Sequence, residues 1–534
     1  MKIFFIISIL FFILGILNPS FYLPWSSFLS EYLVFLSFLC LLPVLFKKDV
    51  TIPKKSIFFL LLSFVPIVQY SFGLIIFLDK AILSFLYLFC FWLAVLVGYN
   101  SGKNYNNTLD LIYGTFLICG LISSLIAILQ WLDIGTHSDF IMRAPNRPFA
   151  NLGQPNHLST FLILALISCL YFFENKVLND KVLIVFSIIF LITISITQSR
   201  TAWVILFFLA LYWIYNCKKN ILNFSEKRIL LYMSIFIVFV FSLPKIKSLF
   251  IQSHSISMFD RVSSGYERIE IWLQAVDAMK KQPLIGYGWN QSSFAQFETI
   301  QVGFINNRLT SFHNIILDIV IWCGIPIGFS IVLFFLFLLI KYLLQSSTSS
   351  QVFSISSIFV VVIHGLFEFP LSYSYFLFPI GLFLGYLFFS FRENYIFGKG
   401  FIFIFVFLLG LFFSFYVFLD YSKIPDNMVA AEEHEMNERK YPIILPYENV
   451  FFETFEQRSK WVSLYPCTKL NKDEINDLNV MVKTYMIYYD LYKSSNVLVY
   501  NGYLFEAERN IRILNYMYGK SYILSDLSCF NSRV

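Results

Sequence analysis

Residues 401–419 read FIFIFVFLLGLFFSFYVFL, a run without a single charged side chain. A bilayer's hydrocarbon core is about 30 Å thick and takes roughly 20 apolar residues to cross as a helix. Working outward, twelve further segments share this character: Ile3–Leu17, Leu29–Phe46, Ile57–Phe77, Ala81–Val97, Leu111–Trp131, Leu158–Phe173, Val182–Thr197, Ala202–Tyr215, Ile229–Leu243, Ile315–Ile340, Val352–Phe369 and Tyr375–Phe391. Their apolar runs are continuous rather than alternating, which argues against an outer-membrane barrel. The expected fold class is an all-α polytopic membrane protein with about 13 transmembrane helices.

Composition agrees. Of 534 residues, 58% are hydrophobic and 13% charged, with a mean hydropathy of +0.70. A soluble domain carries about 25% charged residues, and a soluble surface cannot cover this much apolar material. A cytosolic enzyme, a disordered chain and a disulfide-stapled secreted domain are excluded. Lys2 ahead of the first apolar run looks like a signal peptide, but Asn18-Pro19-Ser20 offers no small-x-small cleavage pattern, so an uncleaved anchor is expected.

Positive charge sets the orientation. With the N-terminus inside, the cytoplasmic connectors hold fifteen Lys and Arg, including Lys47, Lys48, Lys54, Lys55, Lys218, Lys219 and Arg392. The short connectors opposite hold four: Lys80, Arg143, Arg147 and Arg200. That bias places the loop at 132–157, the long loop at 244–313 and the tail at 421–534 on the outer face. The implied organisation is N-terminal membrane helices over 1–243, the long loop, C-terminal membrane helices over 314–420, and a helical tail. Cys467 and Cys529 are the external cysteines, and an oxidising compartment would let them pair. No CxxC or Cys/His cluster points to a metal.

The external segments carry the polar chemistry. Around Asn151-Leu152-Gly153-Gln154-Pro155-Asn156-His157, proline and glycine forbid regular helix, while Arg143 and Arg147 stand nearby with almost no acid. An ordinary solvated turn seldom needs so long a loop, so an anion-facing role is favoured. Ser199-Arg200-Thr201 is a hairpin tip whose arginine either snorkels to headgroups or binds an anion there. Within the long loop come Arg261 and then Arg268, on a stretch where Ile269, Trp272, Val276 and Met279 follow helical spacing. This predicts an amphipathic helix on the membrane face. Arg268 there suits equally an ion pair with a neighbouring Glu and a fork for phosphate oxygens. His313-Asn314 closes the loop at a helix start, and an imidazole is the natural base at neutral pH. His364 and Glu368 stand four apart on one helix, either pairing with each other or serving a site.

These motifs, together with Pro283-Leu284-Ile285-Gly286-Tyr287-Gly288 and Glu368-Phe369-Pro370-Leu371-Ser372-Tyr373, resemble the bacterial O-linked protein oligosaccharyltransferases. That family lies within the O-antigen ligase and polymerase superfamily, whose hallmark is His-Asn, nine residues and then Gly, here His313-Asn314 and Gly324. Three residues beyond, where a small or aromatic residue is the pattern, stands Ile327, with Gly328 one later. The resemblance implies transfer of a glycan from an undecaprenyl-diphosphate carrier to a Ser or Thr hydroxyl of an exported protein such as a type IV pilin. It implies an inner-membrane enzyme acting in the periplasm, with membrane lipids around it and no nucleic-acid partner. In that reading His313 is the base, and Arg200 and Arg268 hold the diphosphate. Gln154, Asn151, Asn156, Arg143, Arg147, Arg261, Asn314 and Tyr373 bind or orient substrate. The absence of any Asp-x-Asp suggests a route with no metal and no other cofactor. Rival expectations are a lipopolysaccharide ligase or glycan polymerase using the same donor, and, from another class, a lipid or solute transporter.

Overall fold

The computed structural model describes residues 2–21, 23–104, 108–134, 139–144, 147–250, 264–300 and 307–530. The chain divides into two compact units: Met1–Leu62, Tyr87–Arg261 and Phe335–Ser414 form the first, and Ser63–Leu86, Val262–Phe334 and Phe415–Val534 the second.

Among the described residues, eight segments are long and apolar enough to cross a membrane: Phe28–Leu45, Leu78–Gly102, Thr108–Trp131, Pro155–Glu174, Arg200–Lys218, Glu226–Lys247, Ile315–Gln345 and Gly400–Met436. Lys2–Leu17, Ser349–Gly365 and Ser374–Ser390 are shorter apolar helices, and Asp180–Ile196 is a helix of 17 residues. The expected span Ile57–Phe77 is instead two seven-residue helices, Ile57–Ser63 and Val65–Ser71. Pro66 lacks the N–H that would bond the carbonyl four residues back, so the ladder lapses there. Conversely, the helix expected to end at Leu243 runs through Pro244 to Phe250, with the bond that proline, lacking an N–H, cannot donate given up inside it.

The first unit is built round helix Pro155–Glu174, the most enclosed of the apolar segments at 83% buried. It packs against Thr108–Trp131, Asp180–Ile196, Arg200–Lys218 and Ser349–Gly365. Hydroxyls inside these helices bond their own ladders, as Ser168 does to Leu164 O (2.8 Å) and Ser195 to Leu191 O (2.7 Å), since lipid offers no alternative partner. A Cβ on Gly385 would lie 2.1 Å from Val95 O, so glycine there lets two helix backbones touch. Strands Asp49–Pro53 and Tyr395–Lys399 pair antiparallel, Asp49 opposite Lys399.

The second unit contains the tail, which is helical as expected, with Ile424–Met436, Glu453–Ser463, Lys472–Tyr485, Tyr488–Tyr500 and Leu504–Tyr518. Helix Lys472–Tyr485 starts with a capping box between Asn471 and Glu474 and buries Ile475, Leu478, Met481 and Val482, a helical stripe. The tail is not closed on itself. Its core also takes in Phe77, Phe297 and Ile300, and buried Asp79 accepts from the Thr454 hydroxyl at 2.7 Å. The Cys467–Cys529 bond forms across 62 residues.

Candidate active site

In the first unit, the Asn151–His157 segment is wrapped over Gln130. The Gln130 amide donates to Met142 O and Ala150 O and accepts from Phe149 N and Ala150 N, all within 3.0 Å. Asn151 serves the same purpose. It is buried, donates to Leu17 O (2.7 Å) and Phe140 O (3.0 Å), and accepts from Met142 N (3.2 Å). Its amide is thereby committed to holding the loop, a correction to its expected place among substrate-facing groups.

Asn156 lies in the first turn of helix Pro155–Glu174, and Ser199 is the N-cap of helix Arg200–Lys218. The Ser199 hydroxyl donates to Asn156 Oδ1 at 2.8 Å, so two helix N-termini meet. Asn156 Nδ2 in turn donates to Glu368 at 3.2 Å, and Arg147 donates through Nε to Thr197 O at 2.7 Å. Arg147 also reaches Asn156 Oδ1 at 3.5 Å. The result is a node of Arg147, Asn156, Ser199 and Glu368, with Arg200 exposed on the next residue. Two helix starts, plus guanidinium groups, make a positive field of the kind suited to an anion. Arg143 is exposed, and Gln154 is half-buried at the N-cap position with no side-chain cap bond.

Beneath this node, His157 Nδ1 shares a 2.8 Å bond with Tyr375 OH, and Tyr373 packs edge-on to the His157 ring at 4.6 Å. His364 Nδ1 bonds Thr160 at 2.9 Å, whereas Glu368 bonds Asn156. Both positions thus reach helix Pro155–Glu174, His364 from within helix Ser349–Gly365 and Glu368 from just beyond its end.

In the second unit, His313 has φ +54°, a left-handed conformation costly for a residue with a Cβ. Its N–H donates to Ser311 Oγ at 2.9 Å, and the Ser311 hydroxyl donates to Asp318 Oδ2 at 2.5 Å. Asp318 is buried and also accepts from Phe312 N at 2.8 Å and Ser292 Oγ at 3.5 Å. One carboxylate thus fixes the turn carrying the imidazole. Asp318 was not singled out in the sequence because an acid inside an apolar helix looks like an isolated cost. Its position four residues after Asn314, one turn into the helix, was the available signal. Asn314 caps the helix, accepting from Ile316 N (3.0 Å) and Leu317 N (3.3 Å); its carbonyl oxygen is spent on the helix rather than on substrate.

The hallmark glycine has a geometric explanation. Helix Ile315–Gln345 is broken at Gly324, with φ 76° and ψ 163°, a combination essentially reserved for glycine. Into the break docks the Pro283–Gly288 turn: Tyr287 N bonds Ile321 O (2.9 Å), Gly288 N bonds Trp322 O (3.1 Å), and Ile325 N bonds Pro283 O (2.7 Å). Gln69 completes the set, donating to Trp322 O and accepting from Trp289 N, each at 2.8 Å. A Cβ on Gly328 would fall 2.6 Å from Val320 Cα, so Gly328, not Ile327, supplies the small residue after the break.

Arg268 lies half-buried on helix Ser264–Lys281. The buried stripe of that helix is Ile271, Gln274, Ala275 and Ala278, while Ile269, Leu273 and Val276 are exposed. Of the expected Ile269, Trp272, Val276 and Met279, the first and third stand on the exposed apolar face and the other two are half-buried. Arg261 lies outside the described residues. The tyrosines 485, 488, 489 and 492 are engaged within the tail. Arg458 stacks over Tyr485 at 4.4 Å, Tyr488 stacks on Tyr492 at 6.2 Å, and Tyr489 bonds Glu435 at 2.5 Å.

An O-antigen ligase family profile matches residues 185–333, and a protein glycosylation ligase profile matches residues 148–173. The general O-oligosaccharyltransferase of Acinetobacter baylyi is 30% identical across 97% of this chain and 92% of its own length. A ComP-specific O-oligosaccharyltransferase of the same organism is 33% identical across 70% of this chain and 69% of its own.

Proposed function

Because this chain belongs to the protein O-oligosaccharyltransferases of the O-antigen ligase family, we propose that it moves a glycan from undecaprenyl-diphosphate to a Ser or Thr hydroxyl of an exported protein such as a pilin. The enzyme is a glycosyltransferase that acts on protein. The observation that carries the reading is the relationship over nearly the whole chain, which includes both polar nodes.

The chemistry runs from the residues. The bond broken joins the sugar C1 to a phosphate oxygen, and the leaving diphosphate keeps that electron pair. Arg200, Arg268 and the two helix starts at Pro155 and Arg200 offset the charge it gains. The bond formed joins C1 to the acceptor oxygen, whose proton passes to His313. Ser311 and Asp318 hold the turn from which that imidazole projects, so little reorganisation is needed when it acts. Gln154 and Tyr373 orient substrate.

We place the protein in the bacterial inner membrane as a multi-pass protein, with the polar nodes facing the periplasm. The fifteen-to-four distribution of basic residues supports this orientation. The Cys467–Cys529 bond supports an oxidising compartment for the tail. The test is co-expression with a lipid-linked glycan pathway and candidate acceptors, followed by mass spectrometry. A mass increment of the glycan on Ser or Thr is expected. Movement of the lipid-linked glycan without covalent transfer would refute the reading in favour of transport.

A further inference from the structure

A cleft of about 250 Å³ opens in the second unit, away from the His313 turn in sequence and built from three separate stretches of chain. The long loop contributes Gln282, Tyr287, Phe294 and Glu298, and the tail contributes Asn479 and Lys483. The mechanism above uses none of these six. Ligand sites for small molecules usually run about 300–1,000 Å³, so this one suits a sugar unit or a short strand, not a prenyl chain.

Its chemistry is mixed in a particular way. Phe294 and Tyr287 supply aromatic surface, while Gln282 and Asn479 supply amides that both donate and accept. Glu298 adds a carboxylate whose state is fixed. Lys483 sits 3.3 Å and Arg509 2.8 Å from its two oxygens. Burial would raise its proton affinity, but the two cations outweigh burial and hold the carboxyl below its ordinary value of 4.5. At neutral pH it is therefore an acceptor only, suited to hydroxyl donors. A pyranose has this complementary form: an apolar C–H face for an aromatic ring and a rim of hydroxyls for amides and a carboxylate.

The cleft is also mechanically joined to the His313 turn. Tyr287 belongs to the turn docked in the Gly324 break. Phe294 and Glu298 ride on helix Ser292–Thr299. The first residue of that helix, Ser292, bonds Asp318 (3.5 Å) and receives the Trp322 indole N–H (3.0 Å).

We propose that this cleft is a carbohydrate subsite, holding a sugar of the donor glycan beyond the one transferred at C1, and so setting a preference for glycan length. The proposal rests on the glycosyltransferase reading. The occupant is sugar rather than acceptor peptide because the lining sets two-way amides and an ionised acceptor beside aromatic rings, the complement of a hydroxyl-rimmed pyranose.

The experiment uses the full-length protein in nanodiscs, with two probes: undecaprenyl-diphosphate carrying one N-acetylhexosamine, and the same carrier with a trisaccharide. In the parent the trisaccharide donor is expected to show the lower KM, by on the order of ten-fold, the worth of one or two net hydrogen bonds. In Phe294→Ala and in Asn479→Ala that ratio is expected to fall toward one. Asn479 is half-buried, so its variant keeps the test valid if Phe294→Ala does not fold by thermal melting. A ratio that persists in the folded variants, or a rise in the KM of the protein acceptor with the donor ratio intact, overturns the subsite. A parent that transfers from neither donor overturns the enzyme reading and the subsite with it, so the two failures are distinguishable.

Discussion

Gly324→Ala tests whether the helix break organises the second unit. At φ 76° and ψ 163° an added Cβ is strained by itself, and it would lie 2.2 Å from Leu284 O. No rotamer relieves this, because alanine has none and the obstacle is backbone. The escape is for the Pro283–Gly288 turn to withdraw, which sacrifices the bonds from Tyr287 N, Gly288 N and Ile325 N. Each is worth about 0.5–1.5 kcal/mol net, so the three sum to about 1.5–4.5 kcal/mol. Against a total stability of about 5–15 kcal/mol, that is a large fraction. Withdrawal also moves helix Ser292–Thr299 and hence the Ser292 contact to Asp318. The assay pairs thermal melting in detergent with hydrogen exchange and glycan transfer. The expected result is a lower melting temperature, faster exchange at residues 287, 288 and 325, and loss of transfer. Gly502→Ala is the control: φ there is +82°, but nothing lies within 4 Å of a Cβ, so only backbone strain of about 1–2 kcal/mol is added. A Gly324→Ala protein that keeps parental melting and slow exchange at those amides would refute the docking argument.

Four other outcomes follow from named contacts. His313→Ala should lower transfer by about 100- to 10,000-fold, the range for general acid–base catalysis, with expression intact; near-parental turnover removes it from the mechanism. Asp318→Asn should cut kcat by on the order of ten- to hundred-fold, since a charged acceptor becomes a donor opposite Ser311; an effect confined to KM would assign it to binding instead. Truncation after Ser422 should lose transfer and lower stability together, because it strips Phe297 and Ile300 of their cover and Glu298 of both cations; parental melting with loss of acceptor glycosylation alone would contradict this and make the tail an acceptor-binding module. Glu298 has a folded pKa below its ordinary value, so its stabilisation is present at neutral pH and is lost as pH falls through that folded value. Parent and Glu298→Gln melting curves should therefore separate at pH 7 and converge in acid, and a constant gap down to pH 3 would contradict this.

The sequence by itself determined the class of the protein and the identity of its chemistry-bearing motifs. Apolar runs long enough to cross a bilayer are a one-dimensional property, because a helix satisfies its backbone within the segment. What the sequence left open were relations between segments distant along the chain. Asn151 and Asn156 are five apart and chemically identical, yet one clamps a loop and the other joins two helix starts to Glu368. Only the packing of segments brought from residues 155, 199 and 368 decides which amide is spent. Likewise, Gly286 and Gly324 read as separate turn and helix glycines until one backbone is seen lodged in the break of the other. Asp318 is, in sequence, one acid in an apolar run, and its worth comes from Ser292, 26 residues earlier, and from the Ser311 turn. A buried carboxylate is tolerated only where donors converge on it, and convergence is a property of the tertiary fold.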